Sequence, residues 1–325
     1  MTGDPGVAGT QPAGPVPQVP AVRQVPPAPP AVRPGLLARW PWLAWPLTLW
    51  LWLLLLVLGL MSLAGNLGAL LLLPIVPRSP GHTAVRALGL RVGHAIGRTG
   101  IAYGYRLFWV LARASGLLRL EAEVLDALRD EPRLIVVANH PSMLDAVMLV
   151  ARLPRSICIM KASLLRNVFL GAGARLAGYI SNASAMGMLR HAVADLQRGG
   201  QLVLFPEGTR TTQWPLDPFQ ASAPLIAKLA QAPIQTVFID TDSPYLGKGW
   251  PLWRLPPLPI VFRVRLGRRF APPTDVHTLR NELEAYYHAE IAGASEGGPA
   301  QAEPSATATA AATAASAAAA AGGTA

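Results

Sequence analysis

Leu134-Ile-Val-Val-Ala-Asn-His-Pro-Ser-Met-Leu-Asp145 decides the fold. A short apolar run ends at Ala138, and Pro141 then opens a helical pattern. Proline suits the first position of a helix, which predicts His140 as the cap residue. Working outward, the same unit recurs. Strands are predicted at Leu134–Ala138, Ser156–Met160, Gly178–Ser181, Gln201–Phe205, Ile234–Ile239 and Val261–Leu266. Helices are predicted at 142–153, 163–176, 184–198, 222–231 and 275–292. Strands that alternate with helices indicate an α/β domain whose central sheet is mostly parallel and flanked by helices. In such sheets functional groups gather beyond the carboxyl ends of the strands.

Two strand ends carry chemistry. In the first, Asp145 lies a little over one turn inside its helix, and helical side chains lean toward the N-terminus. Its carboxylate can therefore reach back to the His140 imidazole. A carboxylate on one ring nitrogen fixes the tautomer and leaves the other nitrogen as a base. The same residues also suit a plain capping His-Pro with a surface Asp. The second strand end reads Phe205-Pro-Glu-Gly-Thr-Arg210. Pro206 stops the strand, Glu207-Gly208 makes the turn, and Thr209 and Arg210 project from the same edge. Arg is suited to a two-pronged grip on phosphate or carboxylate. An ordinary turn with a surface Glu–Arg pair is the plainer alternative.

Asn139-His140-Pro141-Ser142-x-x-Asp145 followed by Phe205-Pro206-Glu207-Gly208-Thr209-Arg210 resembles the glycerolipid acyltransferase family, over roughly residues 121–290. The resemblance implies that His140 takes the proton from an acceptor hydroxyl and that Asp145 supports it. The hydroxyl then attacks the thioester of acyl-CoA or acyl-carrier protein, with no other cofactor and no metal. Glu207, Gly208, Thr209 and Arg210 would shape the acceptor site, with Asn139, Lys161 and Asn182 as further substrate-binding candidates. The implied acceptor is a lysophospholipid, first of all 1-acyl-glycerol-3-phosphate, giving phosphatidic acid. One position departs from the family. Its second block usually ends in an Arg that helps hold the acceptor phosphate, whereas here the strand reads Gly178-Tyr-Ile-Ser-Asn182. A lysolipid with another headgroup, such as a lyso-ornithine lipid, is the alternative acceptor. A transacylase that uses no thioester, and a non-catalytic lipid-binding protein on the same fold, are the competing functions.

The 38 residues between Arg39 and Arg78 contain no charge. A hydrocarbon layer needs about 20 helical residues, so one upright helix would be too long. Ser62, Gly65, Asn66 and Gly68 predict a break, giving a membrane hairpin with limbs at 43–61 and 67–76, with a single tilted transmembrane span as the alternative. Arg33, Arg39, Arg78, Arg86 and Arg91 flank it, which by the positive-inside tendency puts both ends, and the catalytic domain, on the cytoplasmic face. Arg91, Arg98, Arg106 and Arg113 then recur at seven or eight residues, predicting a basic stripe on an interfacial helix.

Charge follows the same division. Residues 1–120 carry ten Arg, no Lys and a single acid, Asp4, whereas the rest of the chain is close to neutral within a formal total of +10. That suits an anionic membrane surface. It argues against nucleic acid, whose binders carry their charge on the folded domain. Cys158 stands alone in an apolar run, so no disulfide or cysteine metal site is expected, only a buried thiol. The expected organisation is a Pro-rich arm at 1–40, the membrane segment at 41–77, a basic helical region at 78–120, the acyltransferase-like domain at 121–293 and an Ala-rich tail at 294–325.

Overall fold

The computed structural model describes Trp42, 44–72, 84–213, 215–251, 254–256 and 258–296. The expected arm, the expected tail beyond Glu296 and residues 73–76 of the expected hairpin lie outside these, whereas 294–296 continue the last helix.

Seven strands form one sheet in the order β1-β7-β6-β2-β5-β3-β4. They are β1 (Leu118–Glu121), β2 (Leu134–Ala138), β3 (Ser156–Met160), β4 (Ile180–Ser181), β5 (Gln201–Leu204), β6 (Ile234–Thr241) and β7 (Ile260–Phe270). Every neighbouring pair is parallel except β6 with β7. The expected α/β sheet is therefore present, with β1 added at one edge.

β2 explains the layering. All five of its residues are buried, and successive side chains of a strand point to opposite faces. Leu134, Val136 and Ala138 enter one apolar cluster, and Ile135 and Val137 enter the other. The second cluster is covered by α5 (Ala185–Gln197), α6 (Ser222–Ala230) and α7 (Val276–Glu296). On the first face lie α3 (Leu144–Arg152), α2 (Ala84–Ala114) and α1 (Ala44–Leu72). Cys158 is buried in that first cluster, and burial pushes its thiol up to about 12.

The apolar block corrects the hairpin expectation. α1 runs unbroken through Ser62, Gly65, Asn66 and Gly68. At 1.5 Å per residue it is about 43 Å long. Asn66 breaks nothing because its side chain is used elsewhere. Its Nδ2 donates to Val168 O at 2.6 Å, and its Oδ1 accepts from the N–H groups of Ala172 and Gly173. Those two N–H groups belong to the first turn of α4 (Gly171–Leu176) and have no carbonyl partner within that helix. A buried amide that caps another helix is a tertiary feature, so from local sequence alone it resembled a break.

α2 also differs from expectation. The exposed apolar residues Val92, Ile96, Tyr103, Leu107, Val110 and Leu111 line its outer side. The Arg stripe is divided. Arg98 turns toward the domain and makes a two-pronged pair with Asp195, at 2.7 and 3.2 Å, while its Nε donates to Ala177 O. Arg106 donates from Nε to Ala151 O at 2.6 Å. Arg91 and Arg113 are exposed. Close approach explains Gly97 in the same helix, where a Cβ would stand 2.5 Å from Ala177 N.

The predicted helix 163–176 is two pieces, a 3-10 turn at Leu164–Arg166 and α4. Asn167 Oδ1 accepts from Phe169 N and turns the chain between them.

Candidate active site

Sheet register brings the two motifs together. β2 lies between β5 and β6, with Val137 beside Leu204 on one side and Ala138 beside Val237 on the other. The segments that leave the three strands therefore emerge side by side.

His140 sits just past the end of β2, with its side chain 16% exposed. It is not the helix cap. The chain first turns through Pro141 and Ser142, and Met143 occupies the cap position of α3. Asp145, fully buried in the first turn of α3, folds back over that turn. Its Oδ2 accepts from His140 Nδ1 at 2.9 Å and from Ser142 N–H at 2.7 Å. A carboxylate oxygen only accepts, so the proton on this edge of the ring belongs to Nδ1. Nε2 is left as the basic atom. The ring stacks on Phe205, with centroids 3.9 Å apart and planes at 16°. One motif thus orients the imidazole in its plane and the other supports its face.

Asp145 is held under tension. Burial raises its carboxyl from its ordinary value to about 6, against the hydrogen bond and charge of His140 and the Ser142 N–H, while Glu207 pushes it further up. Its Oδ1 is buried without a partner among the described residues. The dyad carboxylate is therefore costly to ionise, and the bond to the imidazole is what offsets part of that cost.

Glu207 is buried and both its oxygens are engaged by the protein. Oε1 accepts from the His140 N–H at 3.1 Å and from the Thr211 hydroxyl at 2.9 Å, and Oε2 accepts from Asp217 N–H at 3.0 Å. Burial raises its pKa and these donors oppose the rise. The Thr211 N–H closes the link by donating to His140 O at 2.9 Å. Asn139 is a similar strut. Its amide exchanges two hydrogen bonds with Ile239, at 2.8 and 2.9 Å, and prolongs the β2–β6 ladder after β2 has bent away. Gly208 makes the turn at φ +71°, and a Cβ there would also meet the Gln220 side chain.

Sequence reasoning missed how far the loop after β6 takes part. Ser142 Oγ donates to Tyr245 O, and Met143 N–H to Leu246 O. Arg210 sends its Nη1 to the carbonyls of Leu246 and Gly247, at 2.9 and 3.0 Å. Leu246 is buried at φ +59°, a conformation that costs a non-glycine residue about 1–3 kcal/mol and needs such anchoring. The only signal in the sequence was the density of Pro, Gly and Trp in 243–254. Thr209 is half-buried beside Arg210. Lys161 and Asn182 stand exposed at the ends of β3 and β4, where Asn182 Oδ1 accepts from Ala162 N–H and Asn182 N–H donates to Met160 O. His191 is exposed on α5. No group of His, Cys, Asp and Glu side chains suited to a metal occurs among the described residues.

The arrangement offers a half-buried base of fixed tautomer on a strand-end edge, bordered by an Arg-bearing turn. The family model described as Acyltransferase matches residues 119–240, the segment that holds both motifs. Among solved structures, the chain is similar to the 1-acyl-sn-glycerophosphate (LPA) acyltransferase PlsC from Thermotoga maritima. Identity is 19%, the match covers 78% of this chain and 97% of that one, and the TM-score is 0.49. No protein of curated function matches. The domain that carries both motifs is therefore similar to the acyltransferase family over residues 119–240.

Proposed function

We propose that this enzyme moves a fatty acyl chain from the thioester of acyl-CoA or acyl-carrier protein to the hydroxyl of a membrane lysolipid, with 1-acyl-glycerol-3-phosphate as the leading acceptor and phosphatidic acid as product. The observation that carries this reading is the 2.9 Å contact between His140 Nδ1 and Asp145 Oδ2, set beside the Phe205–Arg210 turn. His140 Nε2 takes the acceptor hydroxyl proton as that oxygen attacks the thioester carbonyl. The C–S bond then breaks and the departing thiolate is protonated. Asp145 stabilises the imidazolium that forms in between. Thr209, the remaining donors of Arg210, and Lys161 face the acceptor. Asn139 and Glu207 act by holding the His140 loop in place.

A lipid surface supplies the acceptor. α1 is long and apolar enough to cross a membrane. Yet Leu51 and Leu54 near one end and Asn66 and Ala69 near the other are all buried against the protein, along about 27 Å of helix. A helix docked along that length keeps the domain with it. We therefore read α1 and the exposed apolar side of α2 as immersed in one leaflet, with the sheet domain on the cytoplasmic side. Trp45 at 83% exposed, Leu49 and Leu71 fit that immersion.

A headgroup without phosphate is the second acceptor reading. It is favoured by the uncharged Asn182 at the end of β4 and by the use of Arg210 Nη1 on the 246–247 carbonyls. Purified chain supplied with labelled acyl-CoA or acyl-carrier protein and a panel of lysolipids tests both. Transfer to lysophosphatidate above all others supports the first reading, and preference for an ornithine-type acceptor supports the second. Failure to discharge either thioester in the presence of every acceptor would contradict both.

A further inference from the structure

At the end of α3 opposite Asp145 lies a second site. A cavity of about 300 Å³ opens between α2, β1, α3 and the 3-10 turn Glu123–Leu128, and is lined by Arg106, Arg113, Arg129, Arg152, Asp126 and Trp109, among others. Four guanidiniums here answer to only two carboxylates. Arg152 pairs with Asp126 at 2.8 Å and with Glu123 at 3.1 Å, while Arg113 approaches Glu123 at 3.7 Å. Arg106 is fixed by the Ala151 carbonyl and lies over the Tyr103 ring. The Arg129 guanidinium has no hydrogen bond or ion pair among the described residues, and neither has the buried indole N–H of Trp109. A cavity with this excess of cationic donors calls for an anion, and Arg matches phosphate oxygens in two-pronged fashion.

The surroundings name the kind of anion. Val110 also lines the cavity, and it belongs to the exposed apolar side of α2 with Tyr103, Leu107 and Leu111. The mouth therefore joins a cationic hollow to an apolar surface. An amphiphile with an anionic head and a hydrocarbon tail satisfies both, whereas a free anion satisfies one.

We propose that this cavity binds the phosphate headgroup of an anionic membrane phospholipid, at a site separate from the acyl-transfer edge. The proposal rests on the reading of α2 as membrane-facing and not on the transfer chemistry.

Native mass spectrometry of the detergent-solubilised full chain, given equal amounts of phosphatidylglycerol and phosphatidylcholine, tests it. The expected result is preferential retention of one phosphatidylglycerol. Retention should fall at least about tenfold in Arg113→Gln/Arg129→Gln, because the double change removes two charge-assisted donors to phosphate. Arg190→Gln, an exposed change on α5, should leave it intact. Equal retention by the double variant and the wild type would overturn the site. Binding of glycerol phosphate as tight as that of phosphatidylglycerol would assign the cavity to soluble anions instead. Acyl transfer by the double variant, assayed on dispersed lysolipid, is expected at the wild-type level. Loss of transfer together with retention would place the cavity on the acceptor's path and contradict its separateness. Loss of all transfer by the wild type would count against the acyltransferase reading alone.

Discussion

The strand-end edge around His140 and the helix pair α1–α2 sit on the same side of the sheet but are held in different ways. At the edge, the decisive bonds within each motif join near neighbours, with His140 to Asp145 spanning five residues and Glu207 to Thr211 spanning four. In the helix pair they join distant segments, as in Asn66 with Val168 and Arg98 with Asp195, which are 102 and 97 residues apart. Chemistry that needs precise geometry is built from short loops on rigid strand ends, each ordered by bonds within its own motif and then tied to the others by backbone-linked struts such as Glu207 to the His140 N–H and Asn139 to Ile239. Attachment of the apolar helices is built from single polar side chains that reach into the domain. The first region should therefore fail in activity when altered, and the second in stability.

Asp145→Asn is expected to show the largest effect. Loss of the carboxylate that orients and stabilises the imidazole should lower the transfer rate about 10² to 10⁴-fold. The folded protein should nonetheless benefit. Because burial raises this carboxyl to about 6, the proton-bearing form is favoured in the native state. Its stabilising contribution is complete below the unfolded value near 3.8 and is lost as pH rises through about 6. The two-unit difference corresponds to about 3 kcal/mol. Denaturation in detergent between pH 4 and pH 7, an interval of roughly that span, should show the wild type losing this increment and the variant retaining it. A variant less stable than the wild type at pH 7 would contradict the tension assigned to the dyad. The same titration predicts that wild-type transfer declines as pH falls through about 6, because a protonated Asp145 no longer accepts from Nδ1 as an anion.

Arg98→Gln tests the other region. It leaves Asp195 buried beside only a distant Arg198, at 3.6 Å, and should cost about 3–5 kcal/mol of stability. At temperatures where the variant is folded, its transfer rate should match the wild type. A large loss of turnover without loss of stability would break the division between the two regions.

Asn66→Ala sharpens the comparison further. It removes the acceptor for two N–H groups of α4 and should cost about 1–3 kcal/mol. Hydrogen exchange should accelerate at Ala172 and Gly173 while Val136 and Val203, paired in the central sheet, stay protected. Equal protection at 172–173 in both proteins would show that the amide does not cap α4.

The same contrast explains what could be read in the sequence. The strands Leu134–Ala138 and Ser156–Met160 stand in the structure with the predicted bounds, because a five-residue apolar run with turn residues after it is a local signal. His140 and Asp145 were legible as a pair because a spacing of five residues keeps them within reach across the strand-to-helix turn, although the helix starts at Leu144 and not at Pro141. β1 was not legible. It has four residues in the alternation buried, exposed, buried, exposed, and it acquires strand character only by pairing with β7. The break expected at Ser62–Gly68 was misread because a buried Asn in an apolar helix has the same appearance as an interruption. The Arg stripe was read by its spacing, but the spacing does not tell whether Asp195 and the Ala151 carbonyl wait on that side. For the same reason Glu207 looked exposed and ready for a substrate, whereas its donors come from residues 140, 211 and 217.

The central claim is that His140 Nε2 is the base of acyl transfer. The most direct measurement is the single-turnover rate of labelled acyl transfer by His140→Ala, with retention of fold verified by circular dichroism. The account predicts a folded, lipid-associated protein whose transfer is at least about 10²-fold slower than that of the wild type. A folded His140→Ala protein that transfers acyl chains at close to the wild-type rate would contradict it.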